Sequence, residues 1–204
     1  MIGTRTGELG LREQKKRDTF MRVVAEARSL VDQHGLDGVT VEQIATASGI
    51  SSRTFFNYFS CKEEAVIGSD PRISDEAAEE LRRRPAGESP VAALRALLFR
   101  EGDDSMLQRW GLRIELVRRH PELLPRHLVA FDRVNRVFTE AIAERMGVDA
   151  ARDPRPAIVV SAVIAAVRST VTWWQQSDRS TELVDELNAA FALLESMELE
   201  MPRG

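Results

Sequence analysis

One cysteine, Cys61, stands in 204 residues. It cannot close an internal disulfide, and it cannot by itself anchor zinc or an iron–sulfur cluster. Histidine is nearly as scarce, with only His34, His120 and His127. His34 reads as an end-of-helix residue facing the C-terminal dipole, and His120, before Pro121, reads as a C-cap. His127 could pair with Glu122, but a metal would lack its third ligand. No nucleophile–base pair, glycine-rich phosphate loop or paired-carboxylate pattern stands out, so an enzyme is not expected and no cofactor or metal is implied. Long apolar runs are missing too. The most apolar one, Ile158 to Val167, meets Arg168 after ten residues, whereas a membrane span needs about 20. Met1 to Arg12 has no apolar stretch of the signal-peptide kind. These absences lead to the expectation of a soluble, cytoplasmic protein with no membrane partner.

Strand-like alternation of β-branched residues is also nearly absent. The 12 glycines and 8 prolines fall between segments of 3.6-residue periodicity, which predicts an all-α chain. The first helix is expected from Arg12 to His34, with Phe20, Val23, Val24, Ala27, Leu30 and Val31 on one stripe and Gly35 at the C-cap. Thr40 and Gln43 form a capping box for a short second helix ending near Ala47. Gly49 supplies a turn, and Ser51 caps a third helix carrying Phe55, Phe56 and Phe59, an aromatic trio expected to be core. Ser60 and Glu63 form a second box opening a fourth helix over Cys61 to Val66. Further helices are expected over Ser74–Arg84, Pro90–Arg100, Asp104–Arg119, Glu122–Met146, Pro156–Gln176 and Thr181–Met197. Residues 1–62 therefore read as a three-helix module with 1–11 a flexible arm, and 63–204 as a larger helical bundle.

A long helix followed by two short ones joined at a glycine is the helix-turn-helix pattern. The exposed side of the third helix would present Ser52, Arg53, Thr54, Asn57 and Tyr58. Arginine donates twice to guanine, asparagine pairs with adenine, and hydroxyls bind phosphate. Helix starts at Thr40, Ser51 and Ser60 offer backbone amides to phosphates. Lys15, Lys16 and Arg17, just ahead, suit phosphate or minor-groove contact.

Over Val23 to Val66 the sequence resembles the TetR family of repressors. The matching residues are Gly35, Thr40-Val41-Glu42-Gln43-Ile44-Ala45, Gly49-Ile50-Ser51 and Thr54-Phe55-Phe56-Asn57-Tyr58-Phe59-Ser60-Cys61-Lys62-Glu63. The resemblance implies a double-stranded DNA operator as partner. Thr40, Tyr58 and Lys62 would hold phosphates, while Ser52, Arg53, Thr54 and Asn57 would face bases. Phe56 stands where that family usually carries tyrosine, and Pro71 interrupts a fourth helix that is usually continuous.

Downstream, two roles are expected of the bundle. The last two helices carry more apolar faces than a monomer needs, and helix-turn-helix repressors act as dimers. Val163, Val167, Val171, Trp174, Leu187, Phe191 and Leu194 are therefore read as a homodimer interface, as the resemblance also implies. Ligand pockets are largely apolar with a few convergent polar groups. Trp110, Arg113, Ile114, Phe131, Asn135, Phe138 and Arg168 fit such a chamber for a small effector. The alternative is ordinary core, with the arginines paired to acids such as Glu115 or Glu140. Leu112 to Phe138, with Arg53 to Phe56, looks like the TetR subgroup that contains the mycofactocin-type regulators. That likeness implies an acyl-CoA-like effector, with Trp110, Phe131 and Phe138 along an acyl tunnel and Arg113 or Arg168 at the thioester or phosphate end. An effector-free DNA-binding dimer and, further off, a helical enzyme acting on thioesters stay as alternatives.

Net charge follows the same division. Over the whole chain 28 Lys+Arg face 32 Asp+Glu, a net of -4. Residues 1–62 hold 9 Lys+Arg against 7 Asp+Glu, and residues 63–204 hold 19 against 25. The acidity belongs to the bundle, and the candidate reading head is mildly basic. A moderate salt dependence of DNA binding is therefore expected.

Overall fold

The computed structural model describes residues 4–99, 106–178 and 180–199. Among them are ten α-helices and no strand: α1 (Thr4–His34), α2 (Val41–Ala47), α3 (Ser52–Phe56), α4 (Lys62–Ile67), α5 (Pro71–Arg83), α6 (Pro90–Leu98), α7 (Met106–Arg119), α8 (Leu124–Met146), α9 (Arg155–Gln176) and α10 (Leu183–Leu199). One 3-10 turn, Pro121–Leu123, precedes α8. The all-helical reading holds. Several boundaries move for local reasons. No proline stops α1 upstream, so the helix begins at Thr4, within the stretch expected to be a flexible arm. Pro71 opens α5 instead of merely breaking α4, because proline at the first helical position gives up an amide that has no partner there anyway.

Two compact units emerge. The first comprises the chain up to Asp70 together with His120–His127, and the second comprises Pro71–Arg119 and the chain from Leu128 onward. The expected boundary after Lys62 thus falls later, and α4 belongs with the first unit. The reason is a specific grip. Arg28 of α1 donates from Nε to the Val66 carbonyl and from Nη2 to the Ile67 carbonyl, both at 2.9 Å. The last carbonyls of a helix have no partner inside it, and the guanidinium fork fits two of them at once. Gly68 then caps α4 at φ +62. A β-carbon there would sit 2.6 Å from Val24 Cγ1, so glycine is needed for space as well as for the left-handed backbone.

Inside the first unit, Phe20, Val23, Val24, Ala27 and Val31 of α1 are buried, as are Ile44 and Ala45 of α2, Phe55, Phe59, and Ala65 to Ile67 of α4. The aromatic centre is tight, with ring centroids 4.7 Å apart for Phe20–Phe59 and 5.4 Å for Phe55–Phe59. Each fully buried ring is worth roughly 1.5–3 kcal/mol of transfer free energy.

In the second unit, α9 and α10 pack on each other and α6 packs on both. Val160, Val163, Val167 and Val171 of α9 meet Leu187 and Phe191 of α10, with Leu94, Leu97 and Leu98 of α6 and Phe138 and Ile142 of α8 closing one core. By length and composition α9 could cross a membrane; here its valine stripe serves that core. Arg145 ties the α5–α6 connection, donating to the carbonyls of Leu81, Arg84, Pro85 and Glu88 at 2.8–3.1 Å.

Candidate nucleic-acid interface

The α2–α3 pair is fixed from its ends. Thr40 Oγ1 accepts from Gln43 N at 3.3 Å while Gln43 Oε1 accepts from Thr40 N at 2.8 Å, the reciprocal box the sequence predicts. Gly49 turns the chain at φ +66. Ser51 Oγ accepts from Thr54 N at 3.1 Å and lies 2.9 Å from Thr54 Oγ1. The two hydroxyls therefore satisfy each other at the start of α3.

With only five residues, α3 has one buried side chain, Phe55, at 0% exposure. Arg53 and Asn57 are exposed and Ser52, Thr54 and Tyr58 half-buried. Arg53 and Asn57 stand four apart and so share a helical face, away from Phe55. The sequence reading of these two as outward-facing agrees with the structure. Phe56 departs from it. It was expected in the core with Phe55 and Phe59, yet it is 56% exposed. A five-residue helix buries one side, and Phe55 occupies it.

Lys62 has a structural role that the sequence did not suggest. Its Nζ donates to the carbonyls of Leu36 at 2.7 Å and Val39 at 2.9 Å, so two of the three ammonium donors tie down the α1–α2 connection. The second capping box shifts by one position. Glu64, not Glu63, reaches back to accept from Ser60 N and Ser60 Oγ, both at 2.7 Å, and Cys61 becomes the N-cap. Lys15 and Lys16 on α1 are exposed and Arg17 is half-buried.

This geometry coincides with a family likeness. Residues 23–66 match the profile of bacterial regulatory proteins, tetR family, and residues 84–198 match that of the MftR C-terminal domain. The chain belongs to the TetR family of transcriptional regulators. One relative is the HTH-type transcriptional regulator TcmR of Streptomyces glaucescens, 36% identical over 94% of this chain and 88% of that protein. Among solved structures, SmeT, the repressor of the Stenotrophomonas maltophilia multidrug efflux pump SmeDEF, shares the fold at TM-score 0.55 and 19% identity, covering 87% of this chain and 89% of the other. The fatty acid degradation regulator FadR of Bacillus halodurans does so at TM-score 0.52 and 17% identity, covering 86% and 93%.

For a TetR-family chain the second unit carries the remaining assignments, and several need correction. Val163, Val167, Val171, Leu187 and Phe191, expected on a dimer face, are all buried within one chain. Trp174 is half-buried and donates from Nε1 to the Thr181 carbonyl at 2.8 Å, and Leu194 is half-buried against the core. The apolar residues that α9 and α10 leave exposed are different ones: Ile158 and Trp173 (54%), then Val184, Leu193 (63%) and Met197. Apolar residues thus fall on more than one side of each helix, and the side carrying Val163, Val167 and Val171 on α9 and Leu187 and Phe191 on α10 is spent inside.

The expected effector residues do not all converge. Arg168 is exposed, not lining an interior. Phe138 is sealed in the core, while Ile114 and Phe131 are half-buried at its edge. Arg113 is half-buried, and the side chain of Trp110 lies outside the described residues. Asn135 Nδ2 donates to Ser161 Oγ at 3.5 Å, and its Oδ1 is buried with no hydrogen-bond partner among the described residues. Sequence reasoning missed an open groove of about 540 Å³ whose lining includes Asp75, Glu79, Arg82 and Glu140. Arg82 pairs there with Glu79 at 3.0 Å and with Glu144 at 2.7 Å. Among the described residues, no three His, Cys, Asp or Glu side chains group as metal ligands.

Proposed function

We propose that this regulator is a homodimeric, ligand-responsive repressor that reads a roughly palindromic operator through α3. The observation that carries the reading is the pair Arg53 and Asn57, both exposed on a helix whose opposite side is anchored by buried Phe55. Arg53 supplies two donors for a guanine edge and Asn57 a donor and an acceptor for adenine. Thr40, Ser51, Ser52, Thr54 and Tyr58, with Lys15, Lys16 and Arg17, set register by phosphate contact. Lys62, with two donors on the Leu36 and Val39 carbonyls, has its third for a phosphate.

Dimerisation is assigned to the exposed apolar residues Ile158, Trp173, Leu193 and Met197 of α9 and α10. Large exposed apolar side chains gathered on two neighbouring helices mark association surfaces. Substituting Trp173→Glu together with Leu193→Glu leaves each chain folded and shifts the sedimenting mass from dimer to monomer. A single dimeric mass in that variant would move the interface elsewhere.

The effector is assigned to the second unit, near Ile114, Phe131 and Asn135, as a small, largely apolar molecule of acyl-CoA-like character. Asn135 Oδ1 offers it an acceptor, and a buried acceptor left unmet costs about 1–3 kcal/mol. Effector binding would favour the state whose reading heads no longer match the half-sites. The burial of Phe138 and exposure of Arg168 favour a second reading, a DNA-binding dimer without effector. One experiment addresses both. Fragments are selected from a random DNA pool with and without acyl-CoAs of several chain lengths. A palindrome enriched only without acyl-CoA supports the first reading, and the same palindrome recovered under both conditions supports the second. Arg53→Ala lowers affinity for the selected site about 10-fold or more and leaves non-specific binding nearly unchanged.

A further inference from the structure

Phe56 is out of place on its surface. More than half of its side chain is exposed, three residues after Arg53 and beside Asn57. Phe55 holds it: the two rings meet edge to face, with centroids 5.6 Å apart and planes at 88°. The buried ring of Phe55 thus sets the direction of the exposed one, and aromatic pairs of this geometry are worth about 0.5–1.5 kcal/mol beyond area. A phenylalanine left in water gains little for the fold. Its ring carries no donor or acceptor, so it can neither bind a phosphate oxygen nor satisfy the polar edge of a base. The major groove offers one apolar group to such a side chain, the C5-methyl of thymine.

We propose that Phe56 is a specificity-determining residue that packs on a thymine methyl beside the bases met by Arg53 and Asn57. The proposal rests on the reading of α3 as the DNA-facing helix. It adds an apolar contact to a set of contacts otherwise polar, and it makes the half-site distinguish thymine from uracil and from cytosine at one position. The other use of an exposed ring, packing on deoxyribose, would be indifferent to sequence.

The test uses the full-length protein and the operator obtained by selection. Each thymine of one half-site is replaced in turn by deoxyuridine, which removes the methyl and keeps the pairing edge. Wild-type affinity falls roughly three- to ten-fold at one position per half-site, the scale of one buried methyl. Phe56→Ala binds the thymine and uracil forms equally, and Phe56→Leu keeps part of the difference. Thermal unfolding of both variants stays near that of the wild type, because the side chain removed is mostly in solvent. Indifference of the wild type to every replacement, a selected half-site without thymine, or an equal loss by Phe56→Ala on operator and random DNA overturns the assignment while Arg53→Ala still shows that α3 reads bases. If no sequence is enriched, or Arg53→Ala binds the operator unchanged, both the assignment and the reading of α3 fall.

Discussion

The recognition turn and the α9–α10 pair use their apolar residues in opposite ways. In the turn, short helices pinned by caps leave no freedom: α3 has one inward residue, Phe55, and whatever else is apolar must face out, as Phe56 does. In α9 and α10, long helices carry apolar residues on more than one side. The stripe of Val163, Val167, Val171, Leu187 and Phe191 closes the unit's own core, and Ile158, Trp173, Leu193 and Met197 stay outside. Hydrophobic period identifies a helix, but by itself it does not say which apolar stripe belongs to the fold and which to a partner. Helix length decides how much of that choice remains open.

The sharpest way to break this comparison is to truncate one residue from each stripe of α10. Phe191, 1% exposed and edge-on to Phe99 at 5.6 Å, should cost about 3–5 kcal/mol as Phe191→Ala. Leu193→Ala, two residues on, should change the stability of the isolated chain by no more than about 0.5 kcal/mol. Its effect should appear as a loss of the concentration dependence that association gives the wild-type unfolding midpoint. Denaturant titrations at two protein concentrations separate these outcomes, and a larger loss from Leu193 would reverse the two stripes.

Next in size is the head. Gly68→Ala forces a β-carbon into the left-handed region, about 1 kcal/mol, and onto Val24 Cγ1 at 2.6 Å, where overpacking costs a further ~1–3 kcal/mol. Arg28→Ala removes the donors of the Val66 and Ile67 carbonyls, at about 1–3 kcal/mol. Both should raise the hydrogen-exchange rate of α4 amides more than those of α9. Uniform loosening of both helices would show that the two units do not unfold separately.

What the sequence discloses follows the same division. Caps and turns are legible because their chemistry is local: Thr40 with Gln43, Ser51 with Thr54, and Gly49 need no knowledge of distant chain. Lys62 is only half legible. A lysine at a helix start reads as a phosphate ligand, and only the fold puts the Leu36 and Val39 carbonyls beneath it. Glu63 and Glu64 are adjacent carboxylates, and only the position of the N-cap at Cys61 selects the second. Arg145 carries no local signal of its role, because its four carbonyl partners lie about sixty residues upstream. The family likeness could be read from 23–66 because that segment is built from such local signals, whereas which apolar residues of α9 and α10 stay exposed could not.

Smaller effects probe surface chemistry within each unit. Thr40→Ala removes one half of a capping box and should cost about 1 kcal/mol, read as a lower denaturation midpoint with α2 exchanging first. The smallest expected effect belongs to the second unit. Glu115 on α7 accepts from Arg118 at 2.8 and 3.0 Å and from Arg119 at 2.9 Å. The hydrogen bonds from Arg118 and then Arg119 lower its pKa to about 2. A folded pKa below the unfolded value, about 4.3, means that the pair stabilises the protein above that pH and loses its contribution as pH falls toward 2. Both arginines are more than half exposed, and solvent screening holds the gain to about 1 kcal/mol or less. Glu115→Gln should therefore melt slightly lower than the wild type at pH 7, with the gap closing between about pH 5 and 2 and shrinking in ~1 M salt. A gap that persists at pH 2 would mean that Glu115 acts by its shape and not its charge, and α7 would then join the helices whose packing, not electrostatics, fixes the second unit.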